Sequence, residues 1–320
     1  MKIYQNITQI IGNTPLVKLR HLPQLYDCSA KILLKLESLN PAHSVKDRIA
    51  VSMIEEAEKA GLIQPGVSTV IEATSGNTGI GLAMVCAAKG YRLILTMPEN
   101  MSLERQKLVK AYGAEVVKTP AEGDMSGAIE RANELLASIP DSFSPQQFSN
   151  PANPKIHYQT TGPEIWQDTA GNIDVFVVGV GTGGTLTGAG FYLKQQNPDL
   201  KIVAVEPAAS AVLSGHGRHV HDIQGIGAGF IPDILRVDLI DEIFKVTEAE
   251  SYHIGRLLAS QEGIISGIST GAVVEAALRI GARPEYGDRT IVAIQASGGE
   301  RYLSTAMFQD QPEPQKKELS

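Results

Sequence analysis

A lysine stands in an awkward place near the start of this chain. In "NPAHSVKDRIA", residues 40 to 50, Ser44 and Asp47 read as a helix start, Ser-x-x-Asp, a variant of the capping box. Val45, Ile49, Met53 and Ile54 then recur at helical spacing, which predicts a helix from here to about Lys59. Lys46 falls in its first turn. A cation there opposes the positive end of the helix dipole, at a cost of roughly 0.3–1 kcal/mol.

Three further stretches have residue types suited to binding a small molecule. "TSGNTG", Thr74 to Gly79, offers hydroxyls, the Asn77 amide and backbone N–H groups at a helix start, a cradle for a carboxylate. "GVGTGGTLTG", Gly179 to Gly188, follows the strongest strand, and its glycines let N–H groups close around an anion. No Gly-Lys-Ser/Thr follows, so it is not a Walker A loop. Gly179, Gly181 and Gly184 do satisfy G-x-G-x-x-G, and Glu206 ends the next strand where a ribose-binding acid would sit, so a dinucleotide reading stays open. In "ASGGERYLST", Ser297 stands where a strand runs into a helix; alone, it reads as an N-cap. His216, His219 and His221 cluster in "GHGRHVHDIQGIGAGF", but no Cys or carboxylate pattern completes a standard metal site, and none is expected.

These loops need a scaffold. Val/Ile-rich runs at 30–37, 68–73, 91–97 and 114–119 read as strands, with helices near 46–60, 77–89, 103–112 and 125–138. The alternation resumes with strands at 174–180, 201–207 and 289–296 and a helix near 184–195. Thr247 and Glu250 form a T-x-x-E capping box for another helix. Strands alternating with helices predict an α/β fold with largely parallel sheets covered on both faces. Ligands in such sheets bind at loops beyond the carboxyl ends of the strands, where all three stretches lie. Pro and Asn cluster in "SPQQFSNPANP" (144–154), which marks a boundary between two halves. A polar, Pro-containing tail at 311–320 reads as disordered.

Composition narrows the class. The 320 residues are 43% hydrophobic and 20% charged, enough for a real core and about two domains. A net charge of −7 without a long basic run argues against nucleic acid or an anionic membrane as partner. Two cysteines, Cys28 and Cys86, do not make a disulfide scaffold and fit a reducing compartment. No apolar run approaches the roughly 20 residues that span a bilayer, and the first residues lack a signal-peptide pattern. A cytoplasmic protein is expected.

Taken together the segments resemble the cysteine synthase (O-acetylserine sulfhydrylase) family of fold type II pyridoxal-phosphate enzymes. The resemblance runs from "IGNTPLVKL" (11–19) through "NPAHSVKDR", "TSGNTG", "QQFSNPANP", "TTGPEIW", "GTGGTLTG", "QGIGAGFIP" and "SGISTGA" to "GERYLSTAMF" (299–308). It implies two three-layer α/β domains of the tryptophan synthase β-like type. The smaller would span 1–148, with residues 13–35 crossing to the other domain and a mobile subdomain at about 90–135. The larger, phosphate-binding domain would span 149–310. By this resemblance Lys46 forms the Schiff base with pyridoxal 5'-phosphate. Its helix position then favours the useful neutral amine, because positive potential and removal from water both promote proton loss. Gly181, Thr182, Gly183, Gly184 and Thr185 match the phosphate loop, Asn77 the partner of the ring hydroxyl, and Ser297 the partner of the pyridine nitrogen. Thr74, Ser75, Gly76, Asn77, Thr78 and Gln147 match the groups holding the substrate α-carboxylate. The implied reaction replaces the acetate of O-acetyl-L-serine by sulfide, through an α-aminoacrylate, to give L-cysteine. A serine opposite the pyridine nitrogen makes a weaker electron sink than an aspartate would, which suits prompt β-elimination. A homodimer and a complex with serine acetyltransferase are implied as well.

The chain departs from the family pattern at Asp222, where a lysine is usual, at Thr270 and at Ala296. These bear on the choice of donor and nucleophile, not on the reaction class. The alternatives are cystathionine β-synthase-like condensation, O-phosphoserine use, β-cyanoalanine synthesis and, from another class, an NAD-dependent oxidoreductase built on Gly179, Gly181, Gly184 and Glu206.

Overall fold

The computed structural model describes residues 3–100 and 102–309, so the 311–320 tail lies outside the described residues. Ten strands occur among them: β1 (Leu16–Lys18), β2 (Lys31–Leu36), β3 (Thr69–Ala73), β4 (Arg92–Pro98), β5 (Glu115–Thr119), β6 (Ser142–Phe143), β7 (Val175–Gly179), β8 (Lys201–Pro207), β9 (Glu242–Val246) and β10 (Thr290–Gln295). They form two sheets. One has the order β1-β2-β10-β7-β8-β9, the other β5-β4-β3-β6. Every pairing is parallel except β1 with β2. The fold is α/β, as expected, and β1 and β2 belong to the sheet of the C-terminal strands.

The larger sheet is buried on both faces, and its side chains alternate between two cores as the strand period demands. Ile32, Leu34, Val175, Val177, Val203, Val205, Ile291 and Ala293 pack on the Ile268–Gly281 helix side. Leu33, Phe176, Val178, Ile202, Ala204, Val292 and Ile294 pack with Leu186, Ala189 and Leu193 of the Gly184–Gln196 helix. In the smaller sheet Val70, Leu93 and Leu95 face the Lys46–Lys59 and Asn77–Lys89 helices, while Ile71 and Ile94 face the Asp124–Ser138 helix. Cys86 is a buried member of the first of these layers.

The capping box at Thr247 and Glu250 forms as expected. The one at Ser44 and Asp47 does not. Ser44 Oγ accepts from Lys46 N at 3.2 Å, and Asp47 Oδ2 accepts from Ala42 N at 2.6 Å, so the reciprocal bonds are absent. The reason is tertiary: an antiparallel bridge from Ser44 to Ser297 already engages the chain there. Among the described residues, no helix is long and apolar enough to cross a membrane.

Candidate active site

The site gathers where β3, β7 and β10 end. Val45 N donates to Ala296 O at 2.9 Å and Gly298 N to His43 O at 3.1 Å, which fastens the start of the Lys46 helix to the exit of β10. On its other side the Asn77–Lys89 helix crosses closely, because Gly81 has no side chain: a Cβ there would stand 3.0 Å from the Lys46 carbonyl. The Lys46 side chain lines a cavity with Val178, Gly179, Thr185, Gly225, Ile226 and Ala296. Among the described residues its Nζ has no hydrogen-bond or ion-pair partner. Burial lowers its pKa to about 8, against the opposing field of Glu37. The neutral amine is therefore far more accessible near neutral pH than it would be for a solvated lysine.

Across from it lies the "TSGNTG" turn. Gly76 is the N-cap of the Asn77–Lys89 helix and supplies no side-chain cap; Gly79 N donates to Gly76 O at 3.2 Å, which leaves the Asn77 and Thr78 N–H groups without an acceptor within the helix. Thr78 Oγ1 donates to Gln147 Oε1 at 2.6 Å. That bond turns the Gln147 amide so that its NH2 group is available to an anion. Gln147 is held in turn by the buried Glu72, which accepts from Gln147 N, Gln146 N and Ser144 Oγ at 3.2, 3.1 and 2.9 Å. Asn153 then ties this loop to the glycine loop, donating to Gln147 O at 2.8 Å and to Thr182 Oγ1 at 3.0 Å.

The glycine loop is built around missing side chains. A Cβ at Gly181 would lie 2.4 Å from the Gly225 carbonyl, and one at Gly184 would lie 1.8 Å from Asn153 Oδ1. Gly183 has φ +82°, a conformation that disfavours side chains. The Gly184–Gln196 helix begins here, so its positive dipole end lies at the loop. Thr185 Oγ1 lies 3.3 Å from His157 Nε2, and burial depresses that imidazole to about 3, so it is neutral. Backbone N–H groups and hydroxyls, beside a free amine, suit a phosphate-bearing aldehyde cofactor: hydrogen bonds for the dianion, a nucleophile for the carbonyl.

Ser297 is buried, and its Oγ lies 3.2 Å from the Tyr302 hydroxyl, which also accepts from Asn77 Nδ2 at 3.3 Å. Arg301 donates to Asn77 Oδ1 at 2.7 Å and to Ala42 O at 2.8 Å. So Lys46, Asn77 and Ser297 come from three distant segments into one site, with the glycine loop and Gln147 tied to each other through Asn153.

A dinucleotide site is not what this loop builds. The Glu206 carboxylate is filled by its own loop, accepting from Leu213 N at 2.8 Å, Ser214 N at 3.1 Å and Ser214 Oγ at 2.5 Å. At 2% exposure it is turned into that loop and is not presented to a ribose. The profile of the pyridoxal-phosphate dependent enzyme family, by contrast, matches residues 7–297.

The chain belongs to the pyridoxal-phosphate dependent enzymes.

Among relatives in this family, a Staphylococcus aureus cysteine synthase is 53% identical over 308 residues, 96% of this chain and 98% of that protein. The crystal structure of a cysteine synthase from Entamoeba histolytica superposes with a TM-score of 0.94 at 43% identity, over 98% of this chain and 93% of that one. A hydrogen sulfide-producing enzyme from Fusobacterium nucleatum superposes with a TM-score of 0.90, also at 43% identity, over 95% of this chain and 99% of that one.

Sequence reading missed several residues that support this site. Glu72, Arg105, Asn153, His157, Arg301 and Tyr302 all touch residues of the three loops or their partners. Arg301 and Tyr302 sat in plain view inside "GERYLST", but no local pattern connects them to Asn77. Among the described residues, no group of three His, Cys, Asp or Glu is placed so that it could hold an ion. His221 instead places Nε2 3.0 Å from the Gly227 carbonyl.

Proposed function

We propose that the chain is a cysteine synthase, making L-cysteine and acetate from O-acetyl-L-serine and sulfide. The observation that carries this reading is the unpaired, half-buried Lys46 amine, in one cavity with the glycine loop and the end of β10. Lys46 would hold the cofactor, with Gly181, Thr182, Gly183, Gly184 and Thr185 on its phosphate and Asn77 and Ser297 on its ring. Bound there, pyridoxal 5'-phosphate supplies an electron sink for charge developing at the substrate α-carbon.

The remaining chemistry falls to the chain. Thr74, Ser75, Gly76, Thr78 and Gln147 bind the α-carboxylate through neutral donors at a helix start, which fixes the α-carbon in front of Lys46. Lys46 Nζ takes the α-proton, and acetate leaves from the β-carbon. Sulfide adds at the same carbon from the open side of the cleft, and Lys46 returns a proton to the α-carbon. The two half-reactions predict ping-pong kinetics. Residues of about 90–135 form the segment we assign to closing over the carboxylate, within an organisation of a smaller half to about residue 148 and a larger one beyond. A homodimer in the cytoplasm, and a complex with serine acetyltransferase, belong to the same reading. The exposed Ile3, Tyr4, Ile7 and Ile10 favour a second copy as partner.

One observation favours a second donor, O-phospho-L-serine. Arg105, donated by a different segment, reaches the Ser75 carbonyl at 3.4 Å, and its buried Nε has no partner. The test is a sulfide-dependent cysteine assay run with each donor. O-acetyl-L-serine supporting turnover at least tenfold above O-phospho-L-serine is the expected result. Turnover with neither donor would refute the reading.

A further inference from the structure

Four side chains in this site form one continuous polar chain, and the chemistry of its first member sets the direction of every bond after it. Arg301 carries only donors, so at 2.7 Å it must face Asn77 Oδ1 and not Nδ2. The Asn77 amide can then present only Nδ2 to the Tyr302 oxygen, 3.3 Å away. Tyr302 has one hydroxyl hydrogen and is 1% exposed, so that hydrogen needs an acceptor in the protein. Ser297 Oγ at 3.2 Å is that acceptor. With its oxygen accepting from Tyr302, Ser297 has its own hydrogen free to donate elsewhere. Gly267 makes the last contact possible: a Cβ there would lie 2.4 Å from Ser297 Oγ and 2.8 Å from the Tyr302 ring.

We propose that Arg301 and Tyr302 are positioning residues that polarise this relay, Arg301 to Asn77 to Tyr302 to Ser297, and so hold the Ser297 hydroxyl as a donor toward the cofactor's ring nitrogen. The proposal rests on the reading that Ser297 and Asn77 flank the pyridine ring. It adds that their hydrogen-bond roles are fixed from outside, by residues that need not touch the cofactor. A donor serine requires an unprotonated ring nitrogen, so the relay selects the less electron-withdrawing form of the ring. Two segments 224 residues apart therefore tune one atom.

The experiment uses the holoenzyme reconstituted with nitrogen-15-labelled pyridoxal 5'-phosphate and reads the ring-nitrogen chemical shift, with cofactor affinity alongside. In Tyr302→Phe, which removes the hydroxyl and keeps the ring, the shift should move toward that of a nitrogen without a donor. Affinity should fall roughly 2- to 12-fold, the worth of one hydrogen bond. Arg301→Met frees the Asn77 amide to turn and should move the shift the same way, while Arg301→Lys, again a donor-only group, should restore it. A purely structural role for either residue would alter thermal stability without moving the nitrogen signal. An unchanged signal in folded, cofactor-loaded Tyr302→Phe overturns the proposal, and so does an unchanged signal in folded Arg301→Met should the tyrosine variant not fold. Failure of the wild-type chain to take up the cofactor would instead overturn the underlying assignment of the site.

Discussion

Ser44 and Ser297 face each other across an antiparallel bridge, although one precedes the first long helix and the other follows the last strand. This bridge sets the position of Lys46. It explains why a cation sits in a helix first turn at some cost in stability: the backbone there is fixed by β10, and the amine is delivered into the cavity at that strand's end.

Lys46→Ala should fold, since a smaller apolar side chain relieves a half-buried amine of desolvation. It should lose turnover by roughly 10²–10⁴-fold, the range for removing a positioned acid–base group. Steady-state rates on cofactor-loaded protein check this, and turnover at the wild-type level would refute the assignment of Lys46.

The depressed lysine also predicts a pH dependence. Burial places the amine at about 8, below its ordinary value of 10.5. Only the neutral form attacks a carbonyl, so the cofactor-free chain should take up pyridoxal 5'-phosphate faster as pH rises, levelling off above about 8. Stopped-flow absorbance measures the rate. A plateau reached only near 10.5 would show an ordinary, solvated lysine.

Gly181→Ala tests the glycine loop. Its Cβ would lie 2.4 Å from a backbone carbonyl, at Gly225, which cannot swing away as a side chain would. Overpacking of this kind costs about 1–3 kcal/mol, so cofactor affinity should drop about 5- to 150-fold. Titration of the cofactor-free variant gives the value, and wild-type affinity would show that the loop does not close on the ligand.

Gln147→Ala removes one donor from the carboxylate cradle and the partner of Thr78. The Michaelis constant for O-acetyl-L-serine should rise roughly 3- to 12-fold, with a smaller effect on the maximal rate. The opposite split, a normal Michaelis constant with a slow maximal rate, would remove Gln147 from substrate binding.

Behind the lysine, Arg48 is clamped by Glu37 at 2.7 and 2.8 Å and by Glu164 at 2.7 Å on both nitrogens. Burial alone would raise the Glu37 carboxyl, but Arg48, with help from Thr14 and Lys35, holds it at about 2. The sign follows: a depressed carboxyl contributes stability above its ordinary 4.5 and loses it as pH falls toward about 2. Arg48→Met leaves a fully buried carboxylate without its ion-pair partner and should cost about 3–5 kcal/mol, partly recovered by adding Glu37→Gln. The exposed Arg92–Glu115 pair is the control, with a cost below about 1 kcal/mol on Arg92→Ala. Chemical denaturation compares them. Equal effects would mean that burial of the Arg48 cluster carries no special penalty.

What was legible in the sequence depended on distance along the chain. The strands β7, β8 and β10 show themselves as Val/Ile runs because both their faces are buried. The loops after them were readable because glycine and hydroxyl residues at strand ends have few other uses. β1 has three residues, too few for an alternation to register, and it is the one antiparallel strand. The Ser44 capping box misled because its spacing is local while its partner, Ser297, is not. The bonds from Arg301 and Tyr302 to Asn77 span 224 and 225 residues, and no periodicity encodes such a contact. Glu206 shows the converse: its spacing fitted a ribose acid, yet a loop seven and eight residues on had already claimed it.

The most direct measurement is the visible absorption spectrum of the purified, cofactor-loaded protein during sequential addition of O-acetyl-L-serine and sulfide. The account predicts a visible cofactor band that O-acetyl-L-serine replaces with a new one, and that sulfide restores as cysteine appears, with Lys46→Ala lacking the cycle. A band indifferent to O-acetyl-L-serine, or a chain that pyridoxal 5'-phosphate cannot colour at all, would contradict it.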